Sequence, residues 1–169
     1  VEALAGLKVL HPEIEGFSIT AGNSSGINDA AAAVAIVGDD LAAAEGLTSL
    51  ATVKAWGTSA VAPRDTGFGA VAVIGKILDR AGLKASDVAL WEINEAFASV
   101  PIAAVREYGI DEELVNISGS GCSLGHPISA SGARQVTTLI NDLKRRGGGI
   151  GVSAMCAGGG QGGAVVIEV

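Results

Sequence analysis

The sequence has no excess of positive charge, few aromatic residues and no long apolar run. Its 11 Lys and Arg are outnumbered by 18 Asp and Glu, a net charge of −7. Without a basic stripe a nucleic-acid backbone has nothing to grip, so nucleic acid is not an expected partner. Aromatics make up 4%, against 25 glycines. Small residues must therefore do much of the packing, which suits closely approaching layers of helix and sheet. The longest apolar run, Ala30–Val37, is closed by Gly38-Asp39-Asp40. That is far short of the roughly 20 residues a spanning helix needs, and no membrane partner is expected. Cys122 and Cys156 are the only cysteines. A disulfide framework is excluded at this size, and a reducing compartment is expected, the cytoplasm or an organelle matrix. His11 and His126 are far apart and neither sits in a Cys/His cluster, so no metal is expected. The opening Val1-Glu2-Ala3-Leu4 is neither a Met start nor a signal peptide. It reads as a chain that begins inside a longer protein or after cleavage.

What is present points to one folded unit. Hydrophobic residues make up 49% of the 169 and charged ones 17%, enough for a sizeable core. Residues 1–19 read as a connector broken by His11-Pro12. Ala30–Val37 has strand length, but periodicity does not distinguish a buried strand from a helix segment. The spacing predicts helices over 41–46, 68–81, 95–108 and 129–146, with glycines ending several of them. It predicts strands over 51–62, 88–93, 115–117, 150–154 and 164–169. This alternation implies an α/β fold, a layered domain with a mixed, mostly parallel sheet and helices on both faces. The last two strands are expected to be antiparallel, because their linker is too short for a crossover.

Two glycine-rich loops each carry one reactive side chain. The first is Gly119-Ser120-Gly121-Cys122-Ser123-Leu124-Gly125-His126-Pro127; the second is Met155-Cys156-Ala157-Gly158-Gly159-Gly160. Pro127 forces His126 out of helical geometry just before a helix N-terminus, where the helix dipole favours a neutral imidazole. A buried, satisfied histidine is the plain alternative. Cys156 sits at a strand end and is either an inert buried thiol or a working base or nucleophile. The amides of Gly158–Gly160 offer an oxyanion nest. Asn94 follows a strand and precedes a helix, so it serves as a helix cap, as a site residue, or as both. Cys122 reads as structural. The polar stretch 20–28 offers groups for a ligand groove, or is an ordinary loop.

Together these segments resemble the C-terminal half of the thiolases, the acetyl-CoA acetyltransferase and 3-ketoacyl-CoA thiolase family. The resemblance rests on Thr20-Ala21-Gly22-Asn23-Ser24-Ser25-Gly26-Ile27-Asn28-Asp29, on Asn94-Glu95-Ala96-Phe97-Ala98, on Gly125-His126-Pro127 with Ser131-Gly132-Ala133-Arg134, and on Cys156-Ala157-Gly158-Gly159-Gly160. It implies residues 1–28 as connector and end of the CoA-binding loop region, and 29–169 as the thiolase C-terminal domain. It implies a Claisen condensation or thiolytic cleavage of 3-ketoacyl-CoA, with a coenzyme A thioester as substrate and no cofactor. His126 would activate an acyl-accepting cysteine. With a water held by Asn94 it would also form an oxyanion hole. Cys156 would be the acid/base, the Gly158 amide would serve a second oxyanion hole, and Ser25 would touch the pantetheine arm of CoA. The resemblance also implies a homo-oligomer for the full-length protein.

No segment here matches the family's nucleophilic-cysteine motif. The expected partner is therefore an N-terminal half that carries it, and the isolated chain is expected to be inactive. A non-catalytic subunit is the alternative. A decarboxylating ketoacyl synthase would place a second His where Cys156 stands, which argues against that class. Two departures from the family pattern, the absence of Pro in 66–73 and Cys122 itself, bear on substrate preference more than on reaction class.

Overall fold

Four strands form one mixed sheet in the order β1-β4-β3-β2, with helices on both faces. The computed structural model describes residues 2–169. The strands are β1 (Thr52–Ala60), β2 (Leu90–Ile93), β3 (Ile150–Ala157) and β4 (Gln161–Glu168). The helices are α1 (Glu2–Ala5), α2 (Asp39–Ala44), α3 (Phe68–Ala81), α4 (Ser99–Tyr108) and α5 (Ile128–Arg145). Among the described residues, no helix is long and apolar enough to cross a membrane.

The α/β layering is as the alternation predicts, but the strand directions correct one expectation. Only β2–β3 is parallel; β1–β4 and β3–β4 are antiparallel. The glycine linker after Cys156 is too short for a crossover, so β4 turns straight back on β3. β1 then pairs with the free side of β4 rather than with its sequence neighbour.

The helix over 68–81 has the predicted bounds. Val71, Ile74, Ile77 and Leu78 are buried against the sheet, and Gly82 closes the helix at φ 67°. With α4 it covers one face, around Trp91, Ile93, Val152, Ala154 and Cys156. On the other face Leu139 and Leu143 of α5 pack on Leu90 and Ile167. The buried stripe of α5 runs Ser131, Gln135, Leu139, Leu143, one residue per turn. It is polar where the helix begins and apolar where it ends, so the helix brings polar groups to one end of the sheet.

Three further expectations are corrected. Residues 115–117 form no strand; a single bridge joins Val115 to Trp91. The helix expected from Glu95 starts at Ser99, with Pro101 buried in its first turn, where a missing N–H costs nothing. Ala30–Val37 is neither strand nor helix. It is irregular and exposed, and none of the backbone hydrogen bonds among the described residues involves 29–37. Among the described residues, buried side chains begin only at Ala55, although Leu4, Leu7, Leu10, Ile27 and Ile36 all precede it.

Candidate active site

The imidazole of His126 is held from both sides. Its Nδ1 lies 2.6 Å from Oγ of Ser131, and its Nε2 lies 3.2 Å from Nδ2 of Asn94. The Ser131 hydroxyl also reaches the Pro127 carbonyl at 3.1 Å. If that hydroxyl donates to the carbonyl, it accepts from Nδ1–H, and Nε2 is left with its lone pair facing the amide of Asn94. The hydrogen bonds therefore assign the Nδ1–H tautomer, with Nε2 as the basic nitrogen. Burial, and then the positive charge of Arg134, hold the imidazole below its ordinary pKa.

Asn94 is not a helix cap, because the helix begins five residues later. Its backbone extends the β2–β3 pairing by one step, with Asn94 N–H donating to Ala154 O at 2.9 Å. Its side chain is fully buried, and Oδ1 has no partner. A buried, unpaired amide oxygen beside the half-buried imidazole is costly and marks a place for a water or ligand.

The loop that carries His126 is pinned at both ends. Near its start the Cys122 amide donates to Oε2 of Glu95 at 3.0 Å. Gly121 lies so close to the Glu95 backbone that any Cβ would collide with it. Near its end the His126 amide donates to Oδ1 of Asn28 at 2.9 Å. Gly125 permits this at φ 107°, with the Asn28 side chain 2.7 Å from where a Cβ would stand. Cys122 takes part through its backbone and a weak thiol contact with Glu95 O, and burial and Glu95 push its thiol pKa up.

Asn28 closes one side of a groove of about 470 Å3, lined by residues 25–30 and 126–129. Ser25 lies in that wall, and its amide donates to Ala96 O at 3.1 Å. The polar stretch 20–28 thus packs beside the Asn94 and His126 loops.

Cys156 reaches the same end of the sheet by another route. It lies two residues beyond Ala154, which accepts from the Asn94 amide. Its side chain is buried with the α3 and α4 cluster. Among the described residues no hydrogen bond joins it to His126, so the two do not form a self-contained couple. Burial pushes its thiol pKa up, so the resting group is a thiol. Beyond it Gly158 is exposed, with nothing within 4 Å of a Cβ position. Gly160 is packed against Val61, whose amide donates to the Gly160 carbonyl at 2.7 Å.

Sequence reasoning gave no individual role to Ser131, Asn28 or Glu95. A hydroxyl in the first turn of the helix after Gly-His-Pro was a usable signal for Ser131. The contacts of Asn28 and Glu95 span 98 and 27 residues, and no local pattern announces them.

The family model described as "Thiolase, C-terminal domain" matches residues 47–169. The chain is 46% identical over 151 residues to an acetyl-CoA acetyltransferase of Escherichia coli (strain K12), covering 89% of this chain and 38% of that protein. It is 43% identical over 165 residues to a 3-ketoacyl-CoA thiolase of Bacillus subtilis (strain 168), covering 96% and 42%. Among solved structures, the Bacillus anthracis acetyl-CoA acetyltransferase superposes with a TM-score of 0.90 at 40% identity, over 99% of this chain and 42% of that one. Human mitochondrial 3-ketoacyl-CoA thiolase in complex with CoA gives 0.89 at 35% identity, again over 99% and 42%. The chain thus spans about two fifths of the length of these relatives. It belongs to the thiolase family and carries that family's C-terminal domain.

Proposed function

We propose that this chain supplies the acid–base half of a thiolase active site, which acts on 3-ketoacyl-CoA by thiolytic cleavage or by the reverse Claisen condensation. The observation that carries this reading is the clamped imidazole of His126, with a basic Nε2 beside the unpaired amide oxygen of Asn94.

The roles combine this geometry with the family resemblance. A nucleophilic cysteine from an N-terminal half delivers its proton to Nε2 of His126 and attacks the thioester or keto carbon. Ser131 then steadies the imidazolium through Nδ1–H. The new Nε2–H, with a water on Asn94, faces the developing oxyanion. Cys156 rests as a thiol, the form that protonates the enolate carbon of a departing acetyl-CoA. As the resulting thiolate it deprotonates the next thiol. The open amide of Gly158 serves the second oxyanion. Ser25 and the groove beside Asn28 accept the pantetheine arm, so coenzyme A enters as substrate rather than cofactor.

Both cysteines of the sequence already have places, Cys122 in the His loop and Cys156 at the end of β3. We therefore assign the nucleophile to the N-terminal half of a full-length enzyme, which the family resemblance suggests is a homo-oligomer of the cytoplasm or an organelle matrix. The bare apolar residues before Ala55 support such a partner. The test is acetoacetyl-CoA cleavage by this chain alone and after co-folding with a thiolase N-terminal half. The expected result is no turnover alone and turnover after mixing, lost again in His126→Ala. Sustained cleavage by the chain alone overturns the division of labour. A folded mixture with no turnover favours the non-catalytic subunit.

A further inference from the structure

Beneath the imidazole lies an ion pair with no place in the chemistry above. Nη1 of Arg134 stands 2.7 Å from Oε2 of Glu92. The Glu92 side chain is 2% exposed and that of Arg134 22%. Burying a pair this deeply gives little net stability, so its presence calls for another reason.

Position supplies one. Glu92 lies on β2 two residues before Asn94, and strand alternation puts both on the α5 face. Arg134 lies on α5 three residues after Ser131, on the same helical edge. The Glu92–Arg134 contact is thus a rung parallel to the Asn94–His126–Ser131 row. It ties together the two elements that hand the imidazole its two partners. We propose that Glu92 and Arg134 are positioning residues for His126, clamping β2 to the first turns of α5 so that Asn94 and Ser131 meet opposite ring nitrogens. This rests on the reading of His126 as the thiolase base.

The pair also sets the charge around the ring. Burial first, and then the charge of Arg134, depress His126, while burial pushes Glu92 up to about 7 against the pull of Arg134. The other ionisable groups nearby are Asp142, tied to Ser118 and Arg145, Glu95, tied to Asn116 and Cys122, and Asp29 on the groove wall. When Glu92 takes a proton, Arg134 faces His126 without its counter-charge.

The experiment needs no turnover, so a failure of the thiolase assay leaves it intact. The chain has two histidines, and exposed His11 serves as an internal control. Imidazole pKa and tautomer are followed by NMR of the full chain as wild type, Arg134→Gln, Arg134→Lys and Glu92→Gln. In Arg134→Gln, the His126 pKa should rise and the ring should show mixed tautomers. Arg134→Lys should restore the wild-type pKa and tautomer, and His11 should not move in any variant. Glu92→Gln, which removes the carboxylate that holds Arg134, should likewise show mixed His126 tautomers, and remains informative if Arg134→Gln does not fold. A folded Arg134→Gln chain with wild-type pKa and tautomer overturns the proposal. So does failure of Arg134→Lys to rescue, or a folded Glu92→Gln chain with the wild-type tautomer.

Discussion

Ser131 Oγ stands 2.6 Å from Nδ1 of His126, five residues earlier in the chain. The spacing exists because Pro127 ends the loop and the next residue begins α5, so the first turn of that helix folds back under the imidazole. Ser131→Ala should leave a half-buried Nδ1–H without its acceptor, at about 1 kcal/mol or more. Chemical denaturation checks that cost. NMR of His126 should show the Nε2–H tautomer gaining population.

Gly125 joins two constraints, a φ of 107° and an Asn28 side chain 2.7 Å from where a Cβ would stand. Gly125→Ala should cost about 1–3 kcal/mol and loosen the Asn28–His126 contact. The expected signature is a lower denaturation midpoint with a wild-type circular dichroism spectrum. An unchanged midpoint would mean that the loop relaxes freely around an added methyl.

Burial pushes both thiols up, so neither is a ready nucleophile. Iodoacetamide should label Cys122 and Cys156 more slowly at pH 7.5 than it labels the denatured chain, with rates still climbing above pH 9. Mass spectrometry of timed digests reads each site separately.

Glu92 is held near 7 in the fold against 4.5 when exposed. A raised carboxyl contributes stability that is complete below pH 4.5 and is lost as pH rises to about 7, because ionisation inside the fold is unfavourable. Wild type should therefore lose up to about 3 kcal/mol across that window relative to Glu92→Gln. Urea midpoints at pH 4.5 and 8 for the two proteins give the difference directly.

Residues 29–50 have no buried side chain, whereas 23–28 are tied to the site through Ala96, Ala98 and His126. Brief proteolysis should cut first within 29–50 and leave a resistant fragment containing 55–169. Early cleavage inside α3 or α5 would contradict the core described above.

Much of this was legible from local pattern. The helix over 68–81 announced itself because Val71, Ile74 and Ile77 repeat at helical spacing before a glycine stop. His126 and Cys156 stood out because glycines surround them. What stayed hidden depends on distance along the chain. Periodicity cannot say that β1 pairs with β4 across 100 residues, so the sheet came out more antiparallel than the alternation suggested. Val115 had strand chemistry but only one bridging partner. Asn94 reads as a cap, a site residue or both, and only the later helix start at Ser99 removes the cap. Ala30–Val37 has the composition of a buried strand, and nothing among the described residues buries it.

That stretch has a consequence for the life of the protein in a cell. Exposed aliphatic side chains with free backbone amides are what chaperones and degradative proteases recognise. They are also sites where like chains stick together. The steady-state amount of this polypeptide should therefore follow the supply of whatever covers residues 29–37. Overproduced by itself, it should be short-lived or gather in inclusions.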